Sequence, residues 1–426
     1  MSKETLSSYD VLNRFFDEGS FTETDAYLKS ESDDAEAITG FGTVDGIPVF
    51  AFSQNVDACG GAMSKAQAKK ITKLYNAALK VGAPIVGFYD SVGGRLEQKY
   101  ELLSAYGDIL RKAAKLSGVV PQIAVVLGNC VGTSALIAAS ADFIIMEKDA
   151  KLSVNTDGKK ACSCCNTKNG TASFVCEGKE AAVDKAKALL TYFPTNNLEA
   201  APAFESAPAY ENPDKLPKVI ADADSLLCVG AGCGDDVCTA FGRVDGNPVG
   251  FVVTQGGNIT AEAAKKVAKH VRFCDAFSLP IITLVDAKDF ESISDASTLV
   301  SAYADATAAK ISVIKGTAVG AVYIALAGAT SGADIVYALP EAIVSPIAPK
   351  AAAFILDPSI ADAPFEEQDA LIDSYIKANL TAQKAAEDGY IDDIAEGDEL
   401  REKIISALNM LSSKRVATLP KKHTTK

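Results

Sequence analysis

The sequence predicts a layered α/β fold that occurs twice along the chain. Residues 41–49 read FGTVDGIPV and residues 241–249 read FGRVDGNPV, so the chain repeats itself at the distance of a whole domain. In each half, apolar runs of strand length alternate with helical patterns, which indicates βαβ units. Five of the 16 prolines lie in 193–217, which is typical of a linker. Because 426 residues can bury two ordinary cores, we predict domains at 1–215 and 216–426.

The elements of the first half follow from its apolar pattern. Continuous rather than alternating apolarity predicts strands buried on both faces at 47–52, 84–89, 122–127 and 143–146. Between the first two strands, residues 64–80 carry apolar side chains at helical spacing. Ser64 and Gln67 predict a capping box at the start of that helix.

The second half repeats this order, with a helix predicted over 260–277. Four further pairs of segments recur: 68–71 with 264–267, 84–90 with 280–286, 128–132 with 316–320, and 141–143 with 333–335. We therefore expect the two halves to superpose, with Gly132 and Gly320 at equivalent points.

Charge and hydropathy exclude several classes of protein. A net charge of −14 and a pI near 4.8 argue against a nucleic-acid or anionic-membrane surface. No apolar run reaches the roughly 18 residues of a membrane span, and the polar start is unlike a signal peptide. We therefore expect a cytoplasmic protein that holds any phosphate-bearing ligand locally, at helix N-termini and a few basic side chains.

Cysteine and histidine usage argues against metal and triad chemistry. The ten cysteines include two clusters, Cys162, Cys164, Cys165 and Cys176, and Cys228, Cys233 and Cys238. Neither cluster has the paired C-x2-C spacing of a zinc ribbon, so we expect incidental reduced thiols and no metal. The two histidines, His270 and His423, have no counterpart in the other half and are expected to be structural.

A glycine segment follows a buried strand in each half. Segments 128–132 and 316–320 are predicted to be turns that lead into small-residue helices. The first N–H groups of such helices have no partner inside the helix, and the helix dipole reinforces them. Aimed at a thioester or urea carbonyl, they would form an oxyanion hole that stabilises an enolate. Such chemistry needs no catalytic histidine.

Nine segments along nearly the whole chain carry family motifs: 16–21, 41–46, the pair Gly60 and Gly61, 80–84, 90–95, 272–277, 386–393, 414–415 and 420–423. In these segments the chain resembles the carboxyltransferase subunits of biotin-dependent acyl-CoA carboxylases and decarboxylases, of the propionyl-CoA carboxylase beta or methylmalonyl-CoA decarboxylase alpha type. The resemblance implies two duplicated crotonase-like domains of the ClpP/crotonase superfamily. It also implies a homo-oligomer whose active site lies between the N-terminal domain of one subunit and the C-terminal domain of another.

The resemblance also implies the site residues. The CoA thioester substrate would lie on the N-terminal domain, and carboxybiotin would enter along the C-terminal domain. By position, Gly132 and Thr133 match the backbone donors to one oxyanion, and Gly320, Ala321 and Val322 match those to the other. The matching substrate-binding segments contribute Gly60, Gly61, Ser91, Gly93, Gly94 and Arg95.

The chain departs from the family pattern near both sites. The Ser-Gly-Gly-Ala-Arg of the family is SVGGR at 91–95, and its Gly-Gly-Ala-Tyr is GAVY at 320–323. A cysteine-rich stretch around 162–165 follows the last strand of the first domain. These departures leave the acyl substrate and the activity itself open, and the sequence does not give the direction of transfer.

The enzyme interpretation requires separate partners. None of the methionines, Met1, Met63, Met146 and Met410, precedes a lysine, so there is no biotin-attachment motif. The expected partners are a biotin carboxyl carrier protein and either a biotin carboxylase or a membrane sodium-pumping decarboxylase subunit, to which the protein would be peripheral. One alternative is a non-catalytic assembly subunit with a degenerate site. A crotonase-type hydratase or isomerase is disfavoured because no glutamate pair flanks the glycine segments.

Overall fold

The computed structural model describes residues 6–30, 33–155, 158–211 and 215–416. The chain divides into two compact units, Met1–Pro202 and Ala203–Lys426, and the division falls within the proline-rich segment 193–217. The basic run 420–423, with His423, lies outside the described residues. Among the helices of the described residues, none is long and apolar enough to cross a bilayer.

The first unit is built on a sheet whose strands from β5 onward are parallel. Its described strands are β1 Thr22–Thr24, β2 Lys29–Ser30, β3 Asp33–Asp34, β4 Ala37–Val44, β5 Ile47–Gln54, β6 Ile85–Ser91, β7 Gln122–Val131, β8 Phe143–Glu147, β9 Lys151–Ser153 and β10 Phe174–Cys176. The helices are α1 Ser8–Phe15, α2 Lys65–Val81, α3 Tyr100–Leu116, α4 Thr133–Ala139, α5 Ser163–Lys168 and α6 Lys179–Leu190. The strand order is β1-β4-β5-β6-β7-β8-β10, and β9 pairs with β7.

The second unit repeats this topology. Its described strands are β11 Leu227–Val229, β12 Val237–Val244, β13 Asn247–Thr254, β14 Asn258–Ile259, β15 Ile281–Ala287, β16 Asp289–Phe290, β17 Lys310–Val319, β18 Ile335–Ala338, β19 Ile343–Ser345 and β20 Asp393–Ile394. The helices are α7 Leu216–Ile220, α8 Ala261–Ala276, α9 Ile293–Asp305, α10 Gly320–Val322, α11 Pro349–Leu356, α12 Ser359–Asp362, α13 Phe365–Asn379, α14 Ala382–Glu387 and α15 Gly397–Leu411. The order β11-β12-β13-β15-β17-β18-β20, with β19 on β17, matches that of the first unit strand for strand.

Each unit has its own apolar core, as two domain-sized halves require. Phe52 and Ile109 are fully buried in the first core, and Phe251 and Val313 in the second. Each such side chain contributes about 1.5–3 kcal/mol on burial. The α/β class predicted from continuous apolar strands is therefore confirmed.

The predicted capping box at the start of α2 is only half formed. Ser64 precedes the helix, and its Oγ accepts a hydrogen bond from the Gln67 N–H at 3.0 Å. The Gln67 amide does not return the bond, because its Nε2 donates instead to the carbonyls of Glu36, at 2.8 Å, and Gly61, at 3.2 Å. Gln67 is therefore used to hold the loop before the helix.

Candidate functional site

An aspartate fills an irregularity in the first sheet, between β6 and β7. The pairing register of the two strands shifts between Tyr89 and Ser91. In this gap the Asp90 Oδ1 accepts the Asn129 N–H at 3.1 Å. A Cβ on Gly128 would lie 2.1 Å from the same carboxylate oxygen, so glycine is required there. Gly128 is therefore part of strand β7, not of a turn.

The second sheet contains the same arrangement of an aspartate at a register shift. The register of β15 and β17 shifts between Val285 and Ala287, and the Asp286 Oδ1 accepts the Thr317 N–H at 2.9 Å. A Cβ on Gly316 would lie 2.5 Å from the Asp286 carboxyl carbon. The prediction that 128–132 and 316–320 are turns is thus wrong for their first four residues. The strands continue through them because the aspartate accommodates the irregularity.

The turn of the first unit is made by Gly132 alone. Its φ of 72° lies in the left-handed region, where glycine is favoured. Its N–H donates to the Ser153 carbonyl at 2.8 Å, which extends the pairing of β7 with β9. Helix α4 then begins at the half-buried Thr133, whose N–H donates to no group in the described ranges. Ser134 is fully buried, so Thr133 presents the accessible amide of this turn.

The turn of the second unit follows β17 directly and is built on Gly320. Its φ is 44°, and a Cβ there would lie 2.9 Å from the Pro346 carbonyl oxygen. Among the described residues, no acceptor faces the N–H groups of Gly320, Ala321 or Val322. Gly320 is half-buried and Ala321 exposed, whereas Val322 is fully buried. Gly320 and Ala321 are therefore the solvent-accessible residues of this turn whose N–H groups have no acceptor among the described residues.

Two loops that carry the predicted substrate-binding glycines lie together at the ends of β5 and β6. The Val92 N–H donates to the Gly60 carbonyl at 3.0 Å, and the Met63 N–H donates to the Gly93 carbonyl at 2.8 Å. The Arg95 N–H continues the ladder to the Met63 carbonyl at 2.9 Å. The structure thus joins segments that lie some thirty positions apart in the sequence.

The Arg95 guanidinium is engaged by a carboxylate that sequence reasoning missed. Its Nη1 lies 3.1 Å from the Glu36 Oε1, and the Glu36 side chain is fully buried. The Ser64 Oγ donates to the second Glu36 oxygen at 2.5 Å. The Arg95 side chain is only 16% exposed, so its charge compensates Glu36 and fixes the loop. No local sequence pattern indicates this pair, because the two residues lie 59 positions apart.

Asp90 also borders a cleft. Its Oδ2 lies 3.1 Å from the Lys179 Nζ, at the start of α6. The two side chains line a small cleft of about 10 Å³ together with Ser53, Gln54 and Leu127. The cleft belongs to the carboxyl ends of β5, β6 and β7, where ligands of parallel sheets usually bind.

His270 is structural, as predicted. Its side chain is buried in α8, and its ring lies 4.8 Å from the Phe241 ring. Burial and the nearby Lys266 charge lower its pKa to about 4. The imidazole is therefore neutral at pH 7 and does not serve as a general acid or base at that pH.

Two duplicated α/β units with the same strand order, each with a short helix that begins at a glycine turn, define a crotonase-like fold. The chain matches the profile "Carboxyl transferase domain" over residues 6–425, and it belongs to that family. The resemblance predicted from its motifs is thereby confirmed.

Relatives and a solved structure agree with this assignment. The chain is 31% identical to the methylmalonyl-CoA decarboxylase subunit alpha of Propionigenium modestum, over 98% of this chain and 92% of the relative. It is 34% identical to the methylmalonyl-CoA carboxyltransferase 12S subunit of Propionibacterium freudenreichii subsp. shermanii, over 99% and 91%. A crystal structure of transcarboxylase 12S, described as a hexamer assembly with methylmalonyl-coenzyme A and methylmalonic acid bound, aligns with TM-score 0.91 at 31% identity, covering 98% and 92%.

Proposed function

We propose that the chain is the carboxyltransferase subunit that moves a carboxyl group between an acyl-CoA and biotin held by a separate carrier protein. Family membership over residues 6–425 supports the reaction class. The observation that carries the proposal is the equivalent pair of helix starts, one in each unit, with amides that face no acceptor in the described residues.

In the first unit we assign the thioester oxygen to the Thr133 N–H. When a carboxyl group leaves or joins the carbon beside a thioester, negative charge develops on the carbonyl oxygen. A fixed amide at the first position of α4 stabilises that charge without any change of protonation. Gly132 sets the direction of the helix. As a donor it would first have to release the Ser153 carbonyl.

In the second unit we assign the biotin side to the N–H groups of Gly320 and Ala321. Biotin supplies the ureido group to which the carboxyl is attached during transfer. A glycine and an alanine leave space for a ring to approach the backbone, and both amides are accessible. Val322 packs inside the unit, so as a donor it would require that packing to open. The donor set therefore suits a carbonyl oxygen on this side too.

The segments around Gly60, Gly61, Ser91, Gly93 and Gly94 are proposed to shape the CoA side. Backbone hydrogen bonds from Val92 to Gly60 and from Met63 to Gly93 hold the two segments together next to the strand ends. Arg95 contributes as a positioning residue through Glu36. Rigid positioning of a bound substrate is itself a large part of catalysis.

The proposed partners are a biotin carboxyl carrier protein and either a biotin carboxylase or a membrane decarboxylase subunit, with further copies of this chain in a homo-oligomer. Several relatives are named as subunits, and one relative's structure is described as a hexamer, which supports an assembly. The relatives include both a decarboxylase and a carboxyltransferase, so the direction of transfer depends on the partner.

The test is transfer of the carboxyl group by the full-length chain. Methylmalonyl-CoA is incubated with biotinylated carrier, or free biotin, and the CoA products are followed by mass spectrometry. We expect loss of the carboxyl group only when biotin is present. Absence of both binding and transfer with any CoA thioester would instead favour a non-catalytic assembly subunit with a degenerate site. Biotin-independent hydration or isomerisation would favour the hydratase or isomerase alternative.

A further inference from the structure

Three thiols come together on the first unit, after strand β9. Cys162 caps the start of α5, and Cys164 and Cys165 lie in its first turn. The three Sγ atoms lie within 4.8 Å of one another. The Cys162 Sγ is 2.7 Å from that of Cys164 and 2.9 Å from that of Cys165. The C-x-C-C spacing, which predicted incidental thiols, thus gathers three sulfurs at a single helix start.

The backbone beneath this cluster is fixed by a buried asparagine. The Asn166 Nδ2 donates to the carbonyls of Leu152 at 3.0 Å, Ala161 at 3.1 Å and Cys162 at 3.0 Å. The Leu152 N–H in turn donates to the Ala161 carbonyl at 2.8 Å. The cluster is therefore anchored to strand β9 and does not depend on a freely moving loop.

The three thiols are accessible to a metal ion. Cys162 and Cys164 are exposed and Cys165 is half-buried. The Cys165 N–H donates to the Cys162 sulfur at 3.3 Å, which holds that sulfur at the helix start. A thiolate is the form of cysteine that binds metals, and exposure lets the displaced protons reach solvent.

We propose that Cys162, Cys164 and Cys165 form a three-thiolate site for Zn²⁺, with water as the fourth ligand. Three sulfurs select a soft or borderline cation over Mg²⁺ or Ca²⁺, which prefer oxygen. Zn–S bonds of about 2.3 Å require sulfurs about 3.8 Å apart, which side-chain rotation at exposed cysteines supplies. Binding displaces the thiol protons into solvent and leaves three Zn–S bonds. The bound ion would brace the segment beside β9, whose Ser153 holds the Gly132 N–H.

The experiment is equilibrium binding of Zn²⁺ to the full-length chain under a phosphine reductant, with a chromophoric chelator as competitor. One ion per chain is expected, and Co²⁺ in its place should give an intense sulfur-to-metal charge-transfer band. Cys162→Ser, Cys164→Ser and Cys165→Ser should each weaken binding by more than about 100-fold, because even outer-shell partners are typically worth 10–100-fold. This readout is independent of carboxyl transfer.

The matched control is the double variant Cys228→Ser with Cys238→Ser, which removes another pair of thiols whose Sγ atoms lie 3.8 Å apart. It should keep the ion and the Co²⁺ band. A wild-type chain that binds no ion would overturn the proposal, as would loss of the ion in this control with retention in Cys164→Ser. If a serine variant misfolds by circular dichroism, alkylation mapping of the wild type decides. Zn²⁺ must then protect these three thiols, and equal labelling with and without Zn²⁺ refutes the site.

Discussion

The two glycine turns share one scaffold but expose different donors. In the first unit the Gly132 N–H is held by Ser153, which leaves Thr133 as the accessible amide. In the second unit Gly320 and Ala321 are both unengaged within the described ranges. The aspartate-filled irregularity before each turn is the same. Duplication has therefore preserved the route of the backbone while the accessible amides diverged, which is what the proposed roles toward two different carbonyl groups require.

The loops beside the two turns also differ, in the charge of one equivalent residue. The Arg95 N–H donates to Met63, just before the helix cap Ser64, and the Glu291 N–H donates at 3.0 Å to Ile259, just before the cap Thr260. The two residues are thus equivalent, yet one is basic and the other acidic. Only the first unit uses this position to neutralise a buried carboxylate.

The largest effect we expect is on stability, from Arg95→Met. The change leaves the fully buried Glu36 without its counter-charge, and breaking a buried ion pair from one side costs about 3–5 kcal/mol. The equivalent Glu291→Met should alter the free energy of unfolding by less than about 0.5 kcal/mol, since Glu291 is exposed. Urea unfolding followed by circular dichroism measures both.

Arg95→Lys serves as the control for charge and should recover part of the loss. A fully stable Arg95→Met that fails only in substrate binding would contradict the structural role. That result would instead support a direct contact between Arg95 and the substrate, as the family resemblance implied.

The next effect concerns turnover. Thr133→Pro removes the accessible amide of the first turn and should lower the rate of carboxyl transfer by about 10³-fold. Ala321→Pro leaves the Gly320 amide in place, so we expect a loss nearer about 10²-fold. Thr133 occupies the first position of α4, where proline is well tolerated.

Thr133→Gly and Ala321→Gly keep the amides and should retain most of the activity. Circular dichroism must show that the proline variants fold normally. If Thr133→Pro transfers carboxyl as fast as the wild type, the oxyanion assignment on the first turn fails. If Ala321→Pro loses more of the transfer rate than Thr133→Pro, the second turn depends more on a single amide than the first, contrary to our expectation.

The sequence was sufficient for the features that depend on local patterns or on repetition. Continuous apolar runs predicted the buried strands, and Ser64 marked the start of α2 within a residue. Features set by distant partners were missed. Gly128 looked like a turn glycine because the carboxylate that requires it, Asp90, lies 38 positions earlier. The engagement of Arg95 by Glu36 spans 59 positions and leaves no local signal.

A third difference between the units is expected to be visible in pH dependence. Alignment through the recurring runs 68–71 and 264–267 places Leu74 of α2 at the position of His270 in α8, and both are buried. The folded pKa of His270 is about 4, below its ordinary 6.5, because of burial and the Lys266 charge. The unfolded chain therefore binds the proton first as the pH falls, and this contribution to stability is lost between pH 6.5 and 4.

His270→Leu, which restores the residue of the first unit, should remove that contribution. The difference in unfolding free energy between wild type and variant should change by about 2 kcal/mol from pH 7 to pH 5. Urea titrations at both pH values measure it, and carboxylates cancel because both chains share them. A difference that is constant with pH would show that His270 titrates normally.

The last prediction tests the scaffold that the two units share. In Gly128→Ala the new methyl group would lie 2.1 Å from the Asp90 carboxylate, and in Gly316→Ala 2.5 Å from that of Asp286. Both should destabilise by about 1–3 kcal/mol, the usual cost of overpacking. Gly128→Ala should be the worse of the two, because Asp90 must also keep its contact with Lys179.

Gly107→Ala in α3 is the matched control, since no atom lies within 4 Å of its Cβ position. It should be neutral or stabilising by up to about 1 kcal/mol, as glycine is unfavourable inside a helix. Adding Asp90→Ala to Gly128→Ala should give a total cost below the sum of the two single changes, because the methyl group then occupies the space that the carboxylate vacates. Strict additivity would mean that Gly128 is required for some reason other than Asp90. The same result in the Asp286→Ala and Gly316→Ala cycle would remove the common scaffold on which the comparison of the two turns depends.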